Sequence, residues 1–222
     1  MCGRYLLMNL NEETLLRIFG GELPPWWKVR YNVAPSQEVP AVRLAGGRRA
    51  VEQMRWGLIP HFAHGNAGSF STINARMETL RESAAYRGPW RKGQRCLVLA
   101  SAFYEWQVVG GRKQPHYIGC ADQELFAFAG LWDSSTPPGG APILSCTIIT
   151  MAASPLMAGI HNTRQREPVI LRPEEHEAWL AGTPEQAWAC LKQYPDELRS
   201  AWPVSTRVNS PKNDGPELIA RA

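Results

Sequence analysis

The chain has no CxxC pair and none of the dense, even cysteine spacing of a disulfide framework. Its five cysteines, Cys2, Cys96, Cys120, Cys146 and Cys190, are odd in number and far apart. That excludes a disulfide-stapled or zinc-ribbon design, and the four internal thiols read as buried apolar residues. No apolar run is long enough to cross a bilayer, and no charged stretch followed by an apolar one marks the start as an export signal. The expectation is a cytoplasmic protein with no membrane partner and no metal. Internal repeats, linkers and low-complexity tails are missing too. The excess of one charge sign is small: a net +4 permits an anionic partner without requiring one.

What is present is an apolar fraction of 44% with nine Trp in 222 residues. That suffices for one substantial core, so a single domain over residues 1–222 and a monomer are expected. Short β-rich runs dominate the middle of the chain. Val39–Leu44 and Val51–Trp56 flank Gly46-Gly47 as a hairpin, and Cys96–Ala100 and Phe103–Gln107 lead to a second hairpin through Gly110-Gly111. Leu125–Trp132 and Ile143–Thr150 add two more strands, and Cys2–Leu7 reads as a short one.

Helices are signalled at the flanks. Asn9 with Glu12 reads as an N-cap and its partner, with Leu15, Ile18 and Phe19 on one face and Gly20-Gly21 as the stop. Pro173-Glu174-Glu175 and Thr183-Pro184-Glu185-Gln186 open two late helices. Without βαβ alternation, the class is α+β, with a mostly antiparallel, barrel-like sheet and flanking helices.

Met1-Cys2-Gly3-Arg4 carries the sharpest chemistry. Removal of Met1 would leave one residue with a free α-amine and a thiol, whose ordinary pKa values lie near ~7.7–8.0 and ~8.5. An amine condenses with an aldehyde to a Schiff base, and the neighbouring sulfur then closes a five-membered thiazolidine. The implied target is an aldehyde. While Met1 stays, the α-amine is not on Cys2, and a Cys after Met is also simply a small residue.

Glu105 stands among Phe103, Tyr104 and Trp106, where desolvation favours a proton donor or shuttle; a glutamate paired with an arginine on a sheet face is the plainer alternative. His161 follows the apolar run Leu156–Ile160 and titrates near ~6.5 when unperturbed, although a lone histidine is more often structural. Asn74 can orient an oxygen through its amide or serve as a turn residue. Arg4, Arg76 and Arg166 adjoin these candidates, and guanidinium forks match phosphate oxygens. Together they describe a site for an aldehyde on a phosphodiester backbone, a ring-opened abasic deoxyribose. His61-Phe62, with Trp56 before them, would stack on or wedge between bases, or would simply pack.

The chain resembles the SRAP domain family (SOS response-associated peptidase). The resemblance rests on Met1–Tyr5, Tyr31-Asn32-Val33-Ala34-Pro35, Trp56-Gly57-Leu58-Ile59-Pro60, Ile73–Thr79, Phe103-Tyr104-Glu105-Trp106, Ile160-His161-Asn162 and Val208-Asn209 to Lys212-Asn213, in that order. It implies a shield for abasic sites in single-stranded DNA, nucleoid-associated when bound, without a cofactor. Cys2 would be the crosslinking nucleophile, Glu105 the proton shuttle and His161 the acid-base or reversal group, with Asn74 positioning the sugar and Arg4 and Arg76 holding phosphates. Two departures stand out: His61-Phe62 where the family often has a Trp-rich wedge, and Arg166-Glu167-Pro168, whose acidic residue would weaken phosphate attraction at Arg166. Two other readings stay open, a thiol peptidase using Cys2 and His161, general or confined to its own N-terminus, and a non-covalent reader of modified or single-stranded DNA.

Overall fold

A computed structural model describes residues 2–8, 10–22, 24–68 and 72–222. Among the described residues there are thirteen strands: β1 (Tyr5–Leu7), β2 (Arg30–Val33), β3 (Glu38–Ala45), β4 (Arg48–Trp56), β5 (Asn74–Arg76), β6 (Arg95–Ala100), β7 (Ala102–Val109), β8 (Arg112–Cys120), β9 (Phe126–Ser135), β10 (Ile143–Ala152), β11 (Arg166–Pro168), β12 (Ile170–Leu171) and β13 (Arg199–Pro203). The α+β class holds, with mostly antiparallel pairing.

Both diglycine hairpins form. Gly46 and Gly47 have φ of 59° and 77°, Gly110 and Gly111 of 55° and 77°, the left-handed pair that a two-residue turn between right-twisted strands requires. β3 then pairs with β4 from Glu38↔Arg55 to Ala45↔Arg48, and β7 with β8 from Ala102↔Gly119 to Val109↔Arg112.

Five strands close a ring in the order β10-β4-β3-β6-β9 and back to β10, the one parallel contact in it being β10 with β4 at Ser145↔Arg55 and Cys146↔Trp56. Closure removes unpaired edges; by the register of the ring Met54, Val98 and Phe128 lie on one of its faces and Val42 and Leu97 on the other, all fully buried. A second sheet, β13-β8-β7-β1-β2, is antiparallel throughout. Strand alternation divides its side chains: Tyr5, Leu7 and Phe103 enter the main core, whereas Leu6, Ala102 and Tyr104 pack on the opposite face against Val204, Val208 and Leu218 of the C-terminal segment.

The helical expectations hold with shifts. The first helical segment is a single α-turn, Glu12–Thr14, continuing as a π-turn over Leu15–Phe19; Asn11 caps it by accepting from the Thr14 amide at 2.8 Å, and Gly20 ends it at φ 69°. Asn9, the expected cap, lies outside the described residues. Thr183 and Gln186 form the reciprocal cap of the helix Pro184–Ala189, and Pro173–Glu175 leads into the helix His176–Ala181. Short helices at Arg87–Arg91 and Pro155–Ile160, and strand β13, appear in addition. Cys96, Cys146 and Cys190 are buried as expected; Cys120 is only partly so.

His176, almost wholly buried, stacks on Phe19 with ring centroids 5.1 Å apart. Burial pushes its pKa down from 6.5 to about 4. The folded chain refuses a proton that the unfolded chain takes up below about 6.5, so this contribution is complete above that pH and is lost as pH falls toward about 4. We expect His176→Phe to flatten the acid limb of stability by up to ~3 kcal/mol, read by urea unfolding of both proteins at neutral and mildly acidic pH.

Candidate active site

Pairing between β1 and β7 builds the site. Tyr5 lies opposite Phe103 and Leu6 opposite Ala102, and the Tyr104 amide donates to the Arg4 carbonyl at 2.9 Å, so the register continues outward and brings Gly3 toward Glu105. Glu105 is 3% exposed, on the same strand face as Phe103.

His161 reaches Glu105 from another element. It ends the helix Pro155–Ile160, which is capped by Ser154 and begins with Pro155, and its own amide bonds the Met157 carbonyl at 2.7 Å. The next residue fixes the loop. The Asn162 amide accepts from the Val108 N–H at 3.0 Å and donates to the Val108 carbonyl at 2.9 Å, while Gln107 donates to the Gly159 carbonyl at 3.1 Å. The side chain of Asn162 thus mimics a neighbouring strand for β7. His161 is held with Nδ1 3.6 Å from Glu105 Oε2 and 2.9 Å from the Arg166 carbonyl. A carbonyl only accepts, so this contact, shorter than the 3.4 Å from the Arg166 amide to the same atom, favours the tautomer with the proton on Nδ1 and leaves Nε2 as the ring's acceptor.

Gly3, Arg4, Ile73, Glu105, His161 and Asn209 are among the residues bounding a cavity of about 520 Å³. Cys2 is fully buried beside it, its Sγ 3.9 Å from the Arg4 carbonyl. Burial first, and then the Glu105 charge, push its thiol well above the ordinary thiol range. Asn74 follows the cavity residue Ile73 in β5, which runs parallel to β10; the Tyr86 hydroxyl bonds its carbonyl at 3.1 Å. Its side chain is 7% exposed, and neither amide atom has a hydrogen-bond partner among the described residues. A buried, unpaired amide costs about 1–3 kcal/mol, a debt that a bound polar group would relieve.

Arg4 is half-buried and already committed: Nη1 donates to Asn32 Oδ1 at 3.0 Å and to the Val208 carbonyl at 2.8 Å, and desolvation lowers its pKa. Arg76 is exposed, its Nε 3.8 Å from Glu78. His61 and Phe62 form an exposed edge-to-face pair, with His61 anchored on Asp133 through its amide at 2.9 Å.

Two expected DNA contacts stand elsewhere. Trp56 is fully buried, edge-on to Tyr5 at 5.2 Å, and its Nε1 donates to the Ile73 carbonyl at 3.0 Å; the parallel pairing of β4 with β10 encloses it. It packs behind the site and presents no face to a base. Arg166 is 7% exposed, forked onto Glu78 at 2.9 and 2.9 Å and bonded to the Thr150 carbonyl at 2.7 Å. The fork holds the Glu78 carboxyl below its usual range. Glu167, expected to repel phosphate, is fully buried against Arg199 at 2.8 Å and accepts from the Ser154 amide. The arginine of this loop that does line the cavity is Arg164, with Lys113 of β8 across from the same space. Gln165, at φ 49°, turns the chain between the exposed and the buried arginine.

Among the described residues no cluster of His, Cys, Asp and Glu has a metal-binding arrangement, and no helix is long and apolar enough to cross a membrane.

A sequence profile for SOS response associated peptidase (SRAP) matches residues 1–211. The chain belongs to the SRAP family. Relatives include the abasic site processing protein YoqW of Bacillus subtilis, 37% identical over 99% of both chains. The abasic site processing protein HMCES of Gallus gallus is 35% identical over 88% of this chain and 68% of its own. Crystal structures with the same fold include a Bordetella bronchiseptica protein (TM-score 0.81, 28% identity, 92% of this chain and all of that one) and a Bacteroides thetaiotaomicron protein (TM-score 0.79, 30% identity, 86% and 85%).

Sequence reasoning passed over Asn32. Fully buried, it donates to the Val208, Ser210 and Asn213 carbonyls at 3.2, 3.0 and 2.7 Å while accepting from Arg4, tying the C-terminal segment to the cavity wall. Its place in Tyr31-Asn32-Val33, an amide between two strand formers, was the available signal. Asn32→Ala should destabilise the fold by about 1–3 kcal/mol or more and hasten proteolysis after residue 204, measured by urea unfolding and limited digestion.

Proposed function

We propose that this SRAP protein captures abasic sites in single-stranded DNA as a thiazolidine at Cys2. The observation that carries the reading is the single cavity bounded by Gly3-Arg4, Glu105 and His161, with the thiol of Cys2 buried beside it. The names of its relatives, abasic site processing proteins, support the substrate class.

Loss of Met1 frees the Cys2 α-amine. Its nitrogen attacks the sugar aldehyde, and water leaves to give an imine. Sulfur then adds to the imine carbon while the thiol proton passes to nitrogen; nothing is oxidised or reduced, and the only species released is water. Glu105 moves these protons, protonating the departing hydroxyl and accepting from the thiol. His161, through Nε2, takes part in the same transfers and in their reversal. Asn74 offers both amide atoms to the opened sugar, and Arg4 and Arg76 hold flanking phosphates. His61-Phe62 forms an aromatic contact for a neighbouring base. The thiol, carboxylate and imidazole are also the groups that self-removal of Met1 would need.

Incubation of the mature protein with an abasic oligonucleotide should give an adduct that survives denaturation and differs from the sum of the two masses by one water. Cys2→Ala should abolish it; a wild-type adduct in that variant would sink the proposal. Glu105→Gln should slow adduct formation by about 100-fold or more, even though removal of its charge lowers the thiol pKa. Because burial favours the neutral thiol, the capture rate of wild type should keep rising with pH past the ordinary thiol value of ~8.5, which a pH series of quenched reactions measures.

A further inference from the structure

A second cleft, of about 430 Å³, lies beside edge strand β2 and opens between Trp26, Trp27 and the start of β3. Trp26 is 37% exposed and Val29 49%, two of the few large apolar side chains left in solvent, and Lys28 between them is exposed as well. A turn closed by the Trp27 amide on the Pro24 carbonyl, at 3.0 Å, sets the indoles side by side in the chain. Tyr5 lies at the bottom, fully buried, its hydroxyl without a partner among the described residues. The cationic and polar groups around it are partly engaged: Arg30 bonds Asp214 and Gln37, and the Gln53 amide is tied to Glu38.

From this arrangement we propose that the cleft is a stacking subsite for one unpaired nucleobase of the strand whose abasic position occupies the capture cavity, and this rests on the function proposed above. Indole faces beside an exposed lysine are what a base with its phosphate requires, since every base has a π-face and every nucleotide a negative charge. An apolar ligand would leave Lys28 unused, whereas the phosphate of a nucleotide can pair with it. The cleft lies close to the capture cavity. Arg4 lines the cavity and Tyr5 the cleft, successive residues whose side chains leave one extended segment on opposite faces, and Tyr5 is three residues from Cys2, about 10 Å of extended chain. A strand leaving the cavity therefore reaches the cleft within a few nucleotides.

The test uses the mature full chain, wild type, Trp26→Ala and Trp26→Phe, with abasic and undamaged single strands of about 4 and about 16 nucleotides. Equal thermal midpoints verify the fold, as expected for a residue this exposed. Trp26→Ala should weaken binding of the long undamaged strand roughly tenfold, with Trp26→Phe restoring most of it, because a phenyl ring still stacks. The adduct yield with the short abasic strand, read at saturation, should be the same in all three. Wild-type affinity of Trp26→Ala for the long strand overturns the subsite, as does tight binding of adenosine monophosphate alone at the cleft with strand affinity unchanged, which would make it a free-nucleotide site. Failure of wild type to form any adduct would instead remove the capture reading, while the binding comparison on undamaged strands would still decide the stacking role.

Discussion

Everything in the candidate site depends on the antiparallel pairing of β1 with β7. A chain terminus ordinarily frays, because few contacts hold it. Here a strand inside a five-stranded sheet, β1, follows directly on Cys2–Arg4, with Tyr5 and Leu7 in the main core and Leu6 in the smaller one. The Arg4 carbonyl accepts from the Tyr104 amide and the Arg4 guanidinium is gripped by Asn32 and Val208. That fixation brings a residue two from the start of the chain beside a buried carboxylate at a definite register.

The polar groups around the pairing serve mainly to hold it. Asn32 and Asp214 fasten the C-terminal segment over the outer face of the sheet, Asp214 accepting from the Tyr31 and Asn32 amides; Asn162 fastens the histidine loop to Val108. Each is a side chain with several hydrogen-bonding atoms engaging main chain from a distant part of the sequence. Their combined effect is that three segments far apart in sequence, residues 2–4, 105 and 161, meet with little freedom. Preorganisation of this kind is what a multi-step proton transfer needs.

Much of the scaffold was legible in the sequence. Diglycine between β-rich runs dictates a tight hairpin, and Thr183-Pro184 with Gln186 dictates a capped helix start; both signals are local, and both structures follow. The ring was only partly legible, since its closure depends on β10 lying parallel to β4, a contact between residues about ninety apart. The same long-range contact explains the fate of Trp56. An aromatic at a strand end carries no local mark of which side it will face, and the arrival of β10 encloses it. Arg164 and Arg166 differ for a similar reason: Arg166 pairs with Ala152 in β11 and turns inward to Glu78, while Arg164 stays in the loop. Cys2, Glu105 and His161 were legible as chemistry from the residues themselves, and their convergence only through the family resemblance, since no local pattern carries it.

Burial of the thiol also orders the proposed chemistry. A neutral, desolvated sulfur next to a carboxylate is a poor first nucleophile, because attack as thiolate would place two negative charges together in a region of low dielectric. The amine, freed from Met1, has no such handicap. Imine formation therefore comes first, and the cationic iminium it passes through lowers the cost of forming thiolate beside it. The carboxylate that suppresses the thiolate in the empty site stabilises the iminium once the aldehyde has entered. In the proposed chemistry Glu105 would thus add to burial in keeping the sulfur neutral before capture and would favour ring closure after it, which gives a physical reason for a carboxylate, and not a second amine or hydroxyl, at this depth in the fold.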